Sequence, residues 1–157
     1  MKLQSPITTT EDQAPPAYVP PPQGIPALIA DIDGTLALLN GRNPYDASTC
    51  LDDLPNDPVI DIVKKYGIVV YVSGREDKYR DQTAAWLSKH GLPAGELFMR
   101  KTGDMRKDSI VKWEIFEEHI RDTYKVLCVL DDRLSVCRMW YSLGLPLLRV
   151  GDPDADF

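Results

Sequence analysis

The sequence predicts an α/β three-layer sandwich: a parallel sheet of about five strands with helices on both faces. Three observations carry that expectation. Short apolar, β-branched runs alternate with longer helical patterns along most of the chain. At 157 residues, 43% of them hydrophobic, the chain fits one domain with a single core. Three of the strand runs end in polar or charged clusters, as strands do when their C-terminal ends feed loops at one edge of a parallel sheet.

Taken in order, residues 1–26 stand apart. They hold seven of the thirteen prolines, with Pro15-Pro16 and Pro20-Pro21-Pro22 among them. Proline removes backbone donors and favours extended chain, so a disordered Pro-rich N-terminal arm is expected here. The folded domain is expected over 27–157. Its first strand covers Ala27–Asp33. Residues Leu36–Asn56 lack periodicity and carry Asn40-Gly41, Asn43-Pro44 and Leu54-Pro55. A loop of that length beside a strand end reads as a flap. Asp57 as N-cap and Pro58 at the first helical position start helix one, which Gly67 ends. Strand two is Ile68–Val72. Helix two runs over Lys78–His90, a short strand over Glu96–Met99 and helix three over Ser109–Arg121. Strand four, Lys125–Leu130, is followed by helix four, Leu134–Leu143, and strand five, Pro146–Val150. The whole is Rossmann-like, with the flap as its minimal cap.

Composition narrows the setting. A net charge of −6 advertises no broad nucleic-acid or membrane surface. The three cysteines show neither C-x-x-C spacing nor a disulfide framework, so a reduced, cytoplasmic setting is expected. No signal peptide or bilayer-length apolar run is recognisable.

The chemistry concentrates at three strand ends. The first ends in Asp31-x-Asp33, followed by Gly34 and Thr35. The second ends in Ser73-Gly74-Arg75 and the fourth in Asp131-Asp132-Arg133. A parallel sheet puts these ends on one edge. Carboxylates gathered there need a divalent cation, and all-oxygen ligands suit Mg²⁺. A cation also attracts phosphate oxygens, which Ser73, Arg75 and a lysine would hold. Lys107 and Lys112 both qualify as that lysine.

Asp31-Ile32-Asp33-Gly34-Thr35 resembles motif I of the haloacid dehalogenase (HAD) superfamily. Ser73, Lys112 and Asp131-Asp132 are similar to its motifs II, III and IV. Within that superfamily, DIDGTLALLNGRNPYD, VVYVSGRE, GDMRKDSIVKWEIF, VLDDR and RMWYSLG resemble the 3′-phosphatase domains of bacteriophage polynucleotide kinase-phosphatases. The similarity runs from about residue 27, with Pro146–Phe157 matching less well. No kinase P-loop motif occurs, so a stand-alone phosphatase unit is expected.

The resemblance implies a HAD-like fold and Mg²⁺-dependent removal of 3′-phosphate, or of 2′,3′-cyclic phosphate, from polynucleotide ends. Asp31 would be nucleophile and Asp33 general acid and base, with a raised pKa. Asp31, Asp33, Asp131 and Asp132 would serve the metal. Ser73 and Lys112 would hold phosphate, and Thr35, Arg42, Gly74, Arg75, Arg100 and Arg133 would bind substrate. DNA or RNA 3′ ends are the implied partners, with a separate kinase or ligase, in a bacterial or phage-infected cell. Free nucleotides or other small phosphoesters are the alternative substrates, and a non-catalytic binding module is the alternative class.

Other residues read more simply. Trp86, Trp113 and Trp140 are expected in helix–sheet packing, not base stacking. Arg106 and Lys107 read as a solvated run. Asp46, Asp52 and Asp53 read as solvated turn acids. No thiol nucleophile is expected at Cys50.

Overall fold

The computed structural model describes residues 15–155. Its elements are β1 (Ile25–Ala30), β2 (Ala37–Leu38), β3 (Leu54–Pro55), α1 (Asp57–Val63), β4 (Val69–Glu76), α2 (Arg80–Lys89), β5 (Leu97–Arg100), α3 (Asp108–Ile115), β6 (Tyr124–Asp131), α4 (Leu134–Ser142) and β7 (Leu147–Arg149). A five-stranded parallel sheet in the order β5-β4-β1-β6-β7 forms the middle layer. The chain builds outward from β1 through β4 to β5, then returns to β1's other side with β6. The C-terminal end of β1 therefore lies at the point where the strand order reverses, the position at which open α/β sheets bind ligands.

Alternation along β1 explains the layers. Ala27 and Ile29 face a cluster with Phe116, Val136 and Trp140, from the helical segments after β5 and β6. Leu28 and Ala30 face Ile60, Val63, Trp86 and Leu87 from α1 and α2. With both faces covered, a strand must be apolar at every position, which is why Ala27–Ala30 shows no polar residue. Trp86 and Trp140 are fully buried, one on each face, and Trp113 is half-buried against the second cluster's opposite, the Phe116 side. Among the described residues no helix is long and apolar enough to cross a membrane.

Several elements differ from expectation in instructive ways. The second strand was expected to end at Val72, but β4 continues to Glu76, with a register shift against β5 between Ser73 and Glu76. Ser73-Gly74-Arg75 is thus an irregular strand segment, not a loop. The predicted flap contains a short antiparallel hairpin, β2 with β3, that closes its base. Asn56, not Asp57, precedes α1, and its side chain donates to the Thr35 carbonyl at 2.9 Å instead of capping the helix. Helix three breaks into a π turn, Phe116–Ile120, after α3.

The expected arm is more complicated. Its residues 1–14 lie outside the described residues. From residue 15 the lead-in is docked on the domain, and the sheet begins at Ile25, inside the expected arm. Tyr18 is buried edge-on to Phe116. Its hydroxyl donates to the Tyr124 carbonyl at 2.7 Å and accepts the Val126 N–H at 2.9 Å. β7 pairs with β6 only from Val129 onward, so one side chain substitutes here for a missing strand. Arg121 donates to the Pro16 and Ala17 carbonyls. A proline-rich segment can dock this way because its carbonyls remain free to accept.

Replacement Tyr18→Phe keeps the ring and strands two buried backbone groups. It should lower stability to urea by about 1–3 kcal/mol without changing the m-value.

Candidate active site

Asp31 follows β1 directly and its N–H donates to the Leu130 carbonyl, so the sheet ladder fixes its backbone. Gly34, with φ of +82°, turns the chain away two residues after Ile32. A Cβ there would lie 2.0 Å from an Asp132 carboxylate oxygen. Glycine is therefore required twice, for the backbone angle and for the approach of Asp132. The strand ends open into a cleft of about 810 Å³ whose lining includes Asp31, Asp33, Gly74, Arg75, Asp131 and Asp132.

Asp31, Asp131 and Asp132 each present a carboxylate oxygen within 4.8 Å of the others. Lys112, from α3, is the cation among them. Its Nζ donates to Asp31 at 2.6 Å and to Asp131 at 2.8 Å. Lys107 stays exposed at the start of α3, so geometry separates two lysines that residue type alone left equivalent and the motif resemblance did not. The Asp131 carboxylate also accepts the Trp140 indole N–H at 3.1 Å, and the Thr35 hydroxyl donates to Asp31 at 2.9 Å. Burial, and then the neighbouring Asp131 and Asp132 charges, push the Asp31 carboxyl up, with Lys112 opposing them. Burial and the Asp131 charge push Asp132 up to about 6. Against burial, the Asp131 and Asp31 carboxylates keep the Lys112 ammonium charged. Three carboxylates thus face one ammonium, and the set remains short of positive charge. Its hard oxygen donors fit a Mg²⁺ ion.

Asp33 belongs to a second cluster. Arg75 grips it with two hydrogen bonds, of 2.9 and 2.7 Å, and Arg42 adds one of 2.7 Å. Both guanidiniums are held from behind by Asp53, whose carboxylate takes two bonds from Arg42 and one from Arg75. Burial raises the Asp33 carboxyl, but the Arg75 and Arg42 hydrogen bonds and charges outweigh it and hold the group below its ordinary value. The expectation of a raised Asp33 pKa is therefore corrected for this state of the chain. The apolar strand end acts as foreseen, and two cations reverse it.

Asp53 corrects a second expectation. Its side chain is fully buried between two arginines, and its carbonyl accepts the Trp86 indole N–H. It is no solvated turn acid. Nothing in Asp52-Asp53 distinguishes the one from the other locally, because the partners lie on β4 and elsewhere on the flap. Asp108 was also missed. It pairs with both Arg100 and Arg133 from the first turn of α3. Arg100 further donates to the Gly74, Asp104 and Arg106 carbonyls, which sets it in the cleft wall. Ser73 is fully buried and does not line the cleft; its hydroxyl accepts the Arg75 N–H at 3.2 Å. Arg106 is tied to Asp104 and Glu114.

Comparison with known proteins gives a consistent set of matches. A family model described as "Polynucleotide kinase PNKP phosphatase domain" matches residues 25–157, which includes the C-terminal stretch that the motifs left uncovered. A "Putative bifunctional polynucleotide kinase/RNA ligase" of Autographa californica nuclear polyhedrosis virus is 36% identical over 137 residues, 82% of this chain and 20% of that protein. Two solved structures of the Pnkp1/Rnl/Hen1 complex, one described as an RNA repair complex, contain chains 42% identical to this one. Their TM-scores are 0.80 and 0.78, and the matches cover 93% and 94% of this chain. The chain spans 20% of the viral relative and 48% and 54% of the two structural neighbours.

Removal of a single partner from a buried charge cluster leaves the others uncompensated. Asp53→Ala should therefore cost about 3–5 kcal/mol in chemical denaturation, whereas Asp52→Ala, on the exposed neighbour, should change stability by less than about 0.5 kcal/mol.

Proposed function

Because the chain belongs to the family of polynucleotide kinase PNKP phosphatase domains, a HAD-type α/β phosphatase family, we propose that it removes phosphate from polynucleotide 3′ ends. The observation that best supports this is the cluster of Asp31, Lys112 and Asp131, buried together, with the half-buried Asp132 beside them, on the floor of an open cleft. The relatives named as a polynucleotide kinase/RNA ligase and as parts of an RNA repair complex favour RNA ends. Removal of a 3′-phosphate leaves a 3′-hydroxyl, the group that a ligase joins. A kinase and a ligase, on adjoining domains or separate chains, are the partners this chemistry calls for.

In this reading Asp31 is the nucleophile. One carboxylate oxygen attacks phosphorus, the bond to the 3′-oxygen breaks, and an aspartyl-phosphate forms for water to hydrolyse. The Thr35 hydroxyl and Lys112 fix the carboxylate's rotamer, and Lys112 offsets charge on the transferring group. Asp31 and Asp132, with the Asp33 carbonyl and Asp131 in support, would hold Mg²⁺, which when bound draws phosphate oxygens to the nucleophile and neutralises their charge. The Ser73 hydroxyl steadies Arg75 through its N–H and so shapes the Gly74–Arg75 wall. Asp33 protonates the leaving 3′-oxygen and then takes a proton from the attacking water.

The arginines give that last role a condition. With Arg42 and Arg75 both on its carboxylate, Asp33 is held ionised and carries no proton to give. A dianionic phosphate competes for the donors that Asp33 now occupies, two from Arg75 and one from Arg42. As they turn to substrate, the Asp33 carboxyl rises toward the value its burial alone would give. Substrate grip and acid activation then become one event, carried by Arg42 and Arg75, which the resemblance assigned to substrate.

Rates on a 3′-phosphorylated oligonucleotide, a 3′-mononucleotide and a 5′-mononucleotide, with Mg²⁺, test the reading. The oligonucleotide should be turned over fastest, and Asp31→Asn should reduce its turnover on the order of a thousandfold or more. Fastest turnover of the 5′-mononucleotide would transfer the function to free nucleotides, and inactivity toward all phosphoesters would leave a binding module.

A further inference from the structure

The charged floor of the cleft has an apolar mouth. Tyr45 is 85% exposed and Met105 90% exposed, and both line the same cleft that ends on Asp31. Leu39 and Pro44 adjoin Tyr45 on the flap side. Single exposed apolar side chains are ordinary on a protein surface. These differ because each stands on a segment braced from beneath. The Tyr45 N–H donates to the Asn43 side chain, Arg42 donates to the Asn43 and Asp46 carbonyls, and the Tyr79 hydroxyl donates to the Asp46 carboxylate. On the other side, Arg100 holds the Asp104 and Arg106 carbonyls, and Arg106 is locked between Asp104 and Glu114. The backbones are fixed while the side chains at their tips are left uncovered. Their points of attachment are fixed in advance, so that a flat apolar ligand would need to order only the two side chains.

We propose that Tyr45 and Met105 form a collar for the base of the nucleotide that carries the 3′-phosphate, so that they set the preference for nucleic-acid ends over small phosphoesters. The proposal rests on the functional reading above, and three features commit it to this occupant. The collar is continuous with the floor, so a phosphate at Asp31 leaves its own nucleoside at the mouth. An aromatic ring and a thioether match the uncharged face of any base, which suits recognition without sequence preference. Lys107 lines the same cleft, is exposed, and forms no salt bridge among the described residues. It is placed for the backbone phosphate on the 5′ side of that nucleoside, a role the paired Arg106 cannot take.

The test compares steady-state kinetics on a 3′-phosphorylated oligonucleotide with those on glycerol phosphate, which has no base. Tyr45→Ala should lower the ratio of kcat/KM values, oligonucleotide over glycerol phosphate, about tenfold to a hundredfold, chiefly through KM. Tyr45→Phe should keep most of that ratio. Tyr141→Ala, at a residue 77% exposed and outside the cleft lining, should leave it unchanged. Lys107→Ala should reduce the slope of log affinity against log salt by about one, measured by oligonucleotide binding to the Asp31→Asn protein. A wild-type enzyme that hydrolyses the oligonucleotide, with a ratio indifferent to Tyr45→Ala, overturns the collar alone. Equal losses on both substrates overturn it too. Turnover of glycerol phosphate with none of the oligonucleotide overturns the functional reading, and the collar with it.

Discussion

Carboxylates brought together away from water set the terms on which this chain folds. Asp31 and Asp131 are nearly inaccessible, one just past the end of β1 and the other at the end of the neighbouring β6, and each faces the other's charge. Their repulsion is answered by one ammonium, carried in on α3. Buried pairs of this kind add little net stability, because desolvation consumes most of the attraction. What they supply is a requirement: α3 must seat with Lys112 between β1 and β6, or three buried charges go unmatched. The same device recurs at Asp108, which joins Arg100 at the end of β5 to Arg133 after β6. Cation and anion come from different elements each time, so the edge of the sheet is fastened by charge and its faces by apolar packing.

Two aspartates separated by one residue nonetheless live in opposite surroundings. Asp31 is the more deeply buried, beside two further acids and a single lysine, and its carboxyl is pushed up. Asp33 points toward the flap, where two guanidiniums hold its carboxyl down. Alternation alone would put the two side chains on one face. The chain instead leaves the sheet after β1 and turns around Ile32, whose carbonyl accepts the Thr35, Leu36 and Ala37 N–H groups, and that turn takes Asp33 to other neighbours. Chemically distinct roles for the pair therefore need no difference in residue type, only in what each side chain meets.

Much of this was legible in the sequence, and the limits have a common cause. The strands announce themselves because burial on both faces leaves unbroken apolar runs such as Ala27–Ala30 and Val69–Val72. Asp31, Asp131 and Asp132 were legible because parallel topology alone converges strand ends. Residue type alone could not tell Lys112 from Lys107, since that choice depends on which face of a helix meets the sheet, and it was the motif resemblance that singled out Lys112. Asp53 and Asp108 were invisible, because a buried acid and a solvated one look alike until their arginines are placed. The Pro-rich lead-in misled past residue 14 for a similar reason. Composition reports the lack of local structure, and cannot report that Tyr18 completes hydrogen bonds more than a hundred residues away.

The flap unites these points. Its base is held by contacts that carry no charge: the β2–β3 hairpin, Asn56 on the Thr35 carbonyl, and Trp86 on the Asp53 carbonyl. Its inner surface is held by Arg42, which also rests on Asp33. Under the proposed function, a phosphate that drew Arg42 from Asp33 would leave Asp53 gripping the same guanidinium through its Nε and Nη2. The arginine can therefore exchange one anion for another without releasing the loop that carries it. A single guanidinium held by one carboxylate could not do both, and under the proposed function the buried acid at position 53 supplies the second hold.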